Sequence, residues 1–351
     1  MTSWVVRAGV AGERDDWALS NGLAGGGFDE FPDLTDVKDR HAVQAIAQTR
    51  MAGDHPQRIA NFTGQMWAMR GRIKTGDLIV LPLKTTRKIA LGNCTGGYRY
   101  IADQPEDRRH AIDVDWKRTD VARSTLKDDL LNTLNGAMTI FSATRNSAAA
   151  RLQSVLDGGI DPGVTGTASP LSSPQDGSGS STDEDPVDPV PAITVEAIRD
   201  RVRTALIENF GGHKLTGLVA DILRVEGFTC SVSPAGPDFG VDILAGSGPL
   251  GLDSPTVVVE VKSESTQVGV PILNQLQGAV TSHRADQALL VAWGGLSKQA
   301  EQLRMTQRLK VQVWTDEEIL DRLFDTYERL PDTTRAAIPL KRAWVLIQET
   351  G

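Results

Sequence analysis

The chain has 351 residues, 40% of them hydrophobic and 23% charged, with a formal net charge of -8 at pH 7. That length predicts two domains with sizeable cores, and the composition is that of a soluble globular protein, with no apolar run long enough to span a bilayer. The charge is uneven: residues 1–156 carry 21 basic against 18 acidic residues, residues 157–193 none against 7, and residues 194–351 16 against 20, so the net value neither supports nor opposes a nucleic-acid partner.

The start, Met1-Thr2-Ser3-Trp4, lacks a basic-then-apolar leader, and a cytoplasmic location is expected. Trp4-Val5-Val6-Arg7-Ala8-Gly9 is an apolar strand pattern closed by glycine, and a polar loop leads on to Trp17. Gly25-Gly26-Gly27 is followed by neither Lys-Ser nor Lys-Thr and does not spell G-x-G-x-x-G, so it reads as a flexible turn. Residues 37–51 and 58–69 read as helices, the second packing Ile59, Phe62, Met66 and Met69 at helical spacing. The two cysteines, Cys94 and Cys230, fall one in each expected domain without a C-x-x-C or histidine cluster. That excludes a disulfide framework and a zinc site, and both are expected to be buried.

Gly76-Asp77 opens an apolar strand, Leu78-Ile79-Val80-Leu81-Pro82, and a basic turn with Lys84, Arg87 and Lys88 follows. Ile89-Ala90-Leu91-Gly92, Gly96-Gly97-Tyr98-Arg99-Tyr100 and the alternating Ile112-Asp113-Val114-Asp115-Trp116-Lys117 continue the strand pattern, which predicts a compact, curved β-barrel. This layout resembles the PUA-like group, which includes EVE domains and the modified-base readers of McrB-type restriction systems. The resemblance implies that residues 1–156 hold an extruded modified base between aromatic faces, with Trp17, Trp67, Tyr98 and Trp116 as candidates. Lys84, Arg87 and Lys88 are then candidates for gripping neighbouring DNA phosphates. The same aromatics also suit a core, and a charged hairpin tip is ordinarily solvated. His110, among Arg108 and Arg109, is expected on the surface.

Residues 123–156 are rich in helix formers, one helix carrying Leu130, Leu131, Leu134 and Met138 and another running over 148–156 to Gly158-Gly159. Residues 157–193 are dominated by Gly, Pro, Ser, Thr and Asp. Such a segment cannot bury enough apolar surface to fold, and it is expected to be a disordered acidic tether that lets two domains work at separate sites on one duplex.

Beyond Thr194, a candidate N-cap, residues 195–210 place Ile198, Val202, Ala205 and Leu206 on one helix face. Leu215, Leu218, Val219, Ile222 and Leu223 mark a second helix with Gly227 at its stop. Strands over 228–233, around Asp242 and around Glu260 come next, then a helix over 271–282, a strand over 287–293, a helix over 297–307, a strand over 309–314 and a helix over 316–330 capped by Thr315. The whole is expected to be an α/β multidomain chain whose second domain, residues 194–351, is a mixed sheet flanked by helices.

Two strands of this domain carry charge where strands are usually apolar: Asp242 follows Phe239-Gly240-Val241, and Val257-Val258-Val259 runs into Glu260-Val261-Lys262. Side chains alternate along a strand, so Glu260 and Lys262 share a face, and pairing with the Asp242 strand would bring the three together. Two carboxylates and a main-chain carbonyl, that of Val261, suffice for a hard cation when substrate phosphate supplies the other ligands, and a lysine beside them can steady developing charge. Taken alone, Glu-Val-Lys is also the pattern of a solvated edge strand.

The order and spacing of these segments, together with Val225-Glu226-Gly227-Phe228, Val268-Gly269-Val270, Gln275-Leu276-Gln277-Gly278-Ala279 and Val291-Ala292-Trp293-Gly294-Gly295-Leu296, resemble the PD-(D/E)xK nuclease superfamily, and within it the Mrr-like restriction endonucleases, over residues 212–321. The resemblance implies Asp242 and Glu260 as metal ligands, Lys262 as the catalytic lysine, Gln277 and Asp238 nearby, and Mg²⁺ or Mn²⁺ as cofactor. Relatives carry an acidic residue on the first helix, where this chain has Thr216. No G-x-x-x-x-G-K-[ST] motif occurs, so ATP is not expected.

The implied activity is modification-dependent restriction of double-stranded DNA in defence against foreign DNA. Cutting both strands needs two sites, hence a homodimer or higher homo-oligomer, and no membrane partner is expected. Two alternatives stay open: a ligand- or RNA-activated nuclease that degrades DNA broadly, and a non-catalytic DNA-binding protein that keeps the nuclease fold.

Overall fold

A computed structural model of the chain describes residues 1–136, 138–164, 194–234, 241–306 and 310–344. They divide into two compact units, one within residues 1–197 and one within residues 198–345. In the first, β1 (Ser3–Val6), α1 (Asp15–Asn21), β2 (Leu23–Gly25), α2 (Arg40–Arg50), α3 (Pro56–Trp67), β3 (Leu78–Pro82), β4 (Ile89–Tyr100), β5 (His110–Val121), α4 (Asp128–Leu134), β6 (Ile140–Ser142) and α5 (Ala148–Leu156) follow in order.

The strands form a mixed sheet in the order β2-β5-β4-β3-β1-β6, with β1 parallel to β3 and antiparallel to β6. The sheet is open, with β2 and β6 as its edges, and the closed PUA-like barrel expected from the strand pattern is not formed. Burial gives the physical reason. Every residue of β1 and β3 is buried, so both sheet faces need cover, and helices provide it. Val43 of α2 with Phe62 and Met66 of α3 pack on one face; Leu130 and Leu134 of α4 with Leu152 of α5 pack on the other.

Three smaller expectations are corrected. His110 is 1% exposed rather than on the surface. It pairs with Tyr100 at the start of β5, and its Nε2 and Nδ1 lie 3.1 Å from the Phe31 carbonyl and 2.8 Å from the Tyr98 hydroxyl. The residues after α5 do not begin the tether at once. Asp161 is buried, its carboxylate accepting from Arg151 Nε and Nη2 at 2.7 Å each and from the Lys127 N–H at 2.8 Å. Helix α4 ends at Leu134, and Met138 packs on the same core from beyond it. Residues 165–193, the greater part of the tether expected from composition, lie outside the described residues. Cys94 is buried and Cys230 half-buried.

Further along come α6 (Val195–Phe210), α7 (His213–Val225), β7 (Thr229–Val232), β8 (Ile243–Ser247), β9 (Asp253–Lys262), α8 (Val270–Ser282), β10 (Gln287–Ala292), α9 (Lys298–Thr306), β11 (Val311–Trp314), α10 (Asp316–Thr326) and α11 (Asp332–Ala337). Thr194 caps α6, its hydroxyl accepting the Ala197 N–H at 3.1 Å. The second sheet runs β11-β10-β9-β8-β7, antiparallel from β7 to β9 and parallel from β9 to β11. Leu206, Leu218, Ile222 and Leu320 of α6, α7 and α10 cover one face; Leu273 and Leu276 of α8 with Ala300 of α9 cover the other. Among the described residues no helix is long and apolar enough to cross a membrane.

Candidate active site

Strand β9 is the middle strand of five, and its last residues change from apolar to charged. Val257 and Val259 join the core under α7, whereas Val258 joins the one under α8, so by alternation Glu260 and Lys262 project on the α8 side. Glu260 is 1% exposed. Lys262 Nζ lies 2.9 Å from its Oε1, the contact that the two-residue spacing predicts.

Asp242 stands one residue before β8 and is tied to β9 twice. Its N–H donates to the Val259 carbonyl at 2.8 Å, and its Oδ2 accepts the Val261 N–H at 2.7 Å. Two strands therefore join Asp242, Glu260 and Lys262 at one sheet end. Burial pulls the Lys262 ammonium pKa down, but the Glu260 hydrogen bond and the charges of Glu260, Asp242 and Glu264 outweigh it and hold the group above the usual lysine value.

The turn that follows Lys262 is seated on the segment after β10. Trp293 N–H donates to the Lys262 carbonyl at 2.9 Å, and Val268 N–H donates to the Gly295 carbonyl at 2.8 Å. A Cβ on Gly294 would lie 2.5 Å from the Ser265 and Thr266 carbonyl oxygens, so only glycine leaves that turn where it is.

The site offers oxygen donors: the second oxygen of Asp242 and the Glu260 carboxylate, with the Val261 main chain between them. That set fits a hard divalent cation, which draws its remaining ligands from water and phosphate. Among the described residues there is no group of three or more His, Cys, Asp or Glu that could hold a metal ion, so such a cation would rest on the two carboxylates. Gln277 lies exposed on α8, Thr216 is buried in α7, and Asp238 falls outside the described residues.

The aromatic candidates of the first unit are spread over two apolar clusters. Trp67, Tyr98 and Trp116 border one, and Trp17 is buried in the other, which Trp116 also touches. The Trp116 indole N–H donates to the Ala18 carbonyl at 3.1 Å. Of the basic turn residues, Arg87 is exposed and Lys88 half-buried, while Lys84 Nζ pairs with Glu196 at 2.8 Å. Lys84 also lines a cavity of about 280 Å³ whose walls include Phe28, Phe62 and Arg14; sequence reasoning took Phe62 for helix packing and passed over the other two. The available signal was the glycine run: Gly25, Gly26, Gly27 and Phe28 all have positive φ.

Residues 207–323 match the family model described as restriction endonuclease, of the Mrr catalytic type. Residues 4–141 match a domain family of unknown function, DUF8426. No curated protein matches the chain. Among solved structures, the MspJI restriction endonuclease in complex with a 27-mer oligonucleotide is 14% identical with a TM-score of 0.33, over 92% of this chain and 75% of that one. The DNA modification-dependent restriction endonuclease AspBHI is 15% identical with a TM-score of 0.30, over 90% and 87%. A protein of unknown function, AF1548, is 17% identical with a TM-score of 0.26, over 37% of this chain and 78% of that one. The C-terminal part of the chain therefore carries a restriction endonuclease domain of the Mrr type, over residues 207–323.

Proposed function

We propose that the chain is a metal-dependent, modification-dependent DNA endonuclease, with the second unit cutting and the first recognising an altered base. The observation that carries this reading is the junction at the end of β9, where Lys262 lies 2.9 Å from Glu260 and Asp242 is bonded to Val261. A solvated edge strand would show none of this: β9 is central, and its glutamate is buried.

Asp242 and Glu260 would hold the cation, Mg²⁺ or Mn²⁺, with the Val261 main chain adjoining. When bound, the cation supplies Lewis-acid polarisation and charge neutralisation at the phosphate. Lys262 is a donor only: its ammonium can orient the attacking water and hydrogen-bond a phosphate oxygen as negative charge develops there. Glu260 in turn fixes the lysine rotamer. The Asp242 oxygen engaged by Val261 keeps that carboxylate from swinging away, which leaves its second oxygen aimed by the backbone.

The partner is double-stranded DNA, and cutting both strands calls for two catalytic units in a homodimer or higher homo-oligomer. No nucleotide-driven step is included. Defence against foreign DNA in the cytoplasm is the role that such an activity serves. The reading is tested by Mg²⁺ cleavage of one plasmid in unmodified and cytosine-modified forms. Cutting confined to the modified form supports both halves; equal cutting of the two forms removes the gating role assigned to the first unit.

A further inference from the structure

The first unit contains a cavity that none of the four aromatic base-pocket candidates lines, although Lys84, a candidate for phosphate contact, does. Its volume is about 280 Å³, near the lower end of the roughly 300–1,000 Å³ of small-molecule sites. Gly26 and Gly27 form one side. A Cβ on Gly26 would lie 2.6 Å from Arg14 Cδ and from the Asp107 carbonyl oxygen, so the glycine is what lets Arg14 lie against the turn. Arg14 Nε is buried without a hydrogen-bond partner among the described residues, and its Nη1 lies 3.7 Å from Asp107 Oδ2.

Phe28 and Phe62 give a buried aromatic wall, their ring centroids 5.4 Å apart and edge-to-face. Arg58 lies over the Phe62 ring at 4.9 Å. Asp29 and Glu30 put carboxylates at the rim, Glu30 also accepting from Arg58 at 3.2 Å, and Arg7 and Arg14 put guanidinium groups there, Arg7 also donating to the Leu134 carbonyl at 3.4 Å.

We propose that this cavity binds one amino-bearing nucleobase of the cytosine or adenine type, presented either by DNA or as a free nucleotide. The ring lies on the phenylalanine wall, its exocyclic amine donates to the acidic rim, and its ring acceptors or phosphate meet the arginines. Uracil and thymine present a carbonyl where the amine would be, which sets acceptor against acceptor and leaves both unpaired. Partial desolvation at the rim, with the charges of Asp107 and Glu30 and against that of Arg14, holds the Asp29 carboxyl above its usual value. The assignment rests on reading the first unit as the recognition module.

The test is equilibrium binding by the full chain in EDTA, which separates recognition from cleavage. The probes are one duplex with and without a single 5-methylcytosine, and the nucleotides CMP, AMP and UMP. Asp29 is exposed, so Asp29→Asn leaves the melting temperature unchanged. It weakens binding of the preferred probe about tenfold, the worth of one hydrogen bond to a charged group, and Phe62→Leu weakens the same probe. Preference for the methylated duplex names DNA as the source; preference for CMP or AMP over UMP with no duplex preference names a free nucleotide, in which case the modified-DNA reading falls and the cavity stands. Discrimination between the duplexes that survives both substitutions overturns the cavity while keeping that reading. Absence of binding to every probe also overturns it.

Discussion

Taking the Glu260 carboxylate out of water costs several kcal/mol, and an uncompensated charge there would simply be protonated. Lys262, two residues on along the same strand face, sets its ammonium 2.9 Å from that carboxylate and compensates its charge. Geometry around the lysine is set as much by glycine as by charge. Gly294→Ala pushes a methyl group into the Ser265 and Thr266 carbonyl oxygens, and the turn leaving Lys262 must shift. The predicted outcome is a fall in kcat of the order of 10²-fold, with KM and the affinity for DNA in EDTA close to wild type; an equal loss of both would make the glycine merely structural. In the first unit, the Phe31 carbonyl can only accept, so the His110 Nε2 carries the proton and Nδ1 accepts from the Tyr98 hydroxyl. Burial holds the His110 pKa below the ordinary 6.5, against the opposing pull of the Phe31 hydrogen bond. The folded state therefore binds the proton less readily than the unfolded chain. The stability contributed by neutral His110 is fully present above the unfolded value and is lost as the pH falls from there toward the depressed one. Wild-type Tm should drop more steeply than that of His110→Gln between about pH 7.5 and about pH 5.5; parallel curves would remove His110 from the account.

At the scale of elements, helices whose apolar stripe is uninterrupted were legible from the sequence alone. Residues 148–156 and 195–210 fold as α5 and α6 over those very ranges, and Thr315 caps α10 with a full capping box. What could not be read is whatever depends on partners distant in the chain. Ser3 pairs in parallel with Leu78, 75 residues away, to join β1 to β3, and no local pattern near Trp4 announces it. His110 was misplaced because its sequence neighbours are arginines while its hydrogen-bond partners are Tyr98 and Phe31. The start of the tether was misjudged for the same reason: Gly158-Gly159 marks a stop, but Asp161 returns to Arg151, which also holds Asp129 of α4 at 2.9 Å. That buried cluster locks α4, α5 and the segment beyond them together. Arg151→Met leaves Asp161 buried without its cation and should lower the stability of the first unit by about 3–5 kcal/mol, read from chemical denaturation. A change under about 1 kcal/mol would mean that Asp161 finds water instead.

For the whole molecule, the partition of charge was informative where the net value was not. Most of the excess negative charge lies in residues 157–193, so the two folded units keep nearly balanced surfaces on which local basic groups can meet phosphate. The meeting of Asp242, Glu260 and Lys262 was legible because strand alternation and nearest-strand pairing suffice to bring them together, whereas the cavity beside Phe28 depends on segments distant in the chain. The proposed division of labour puts chemistry in the second unit and recognition in the first, so removing the lysine should silence one and spare the other. The measurement that tests this most directly is single-turnover cleavage of modified DNA in Mg²⁺ by wild type and Lys262→Ala, with affinity for the same DNA measured in EDTA. The account predicts affinity within about twofold and cleavage slowed by about 10²–10³-fold or more. Cleavage by Lys262→Ala at the wild-type rate would contradict it.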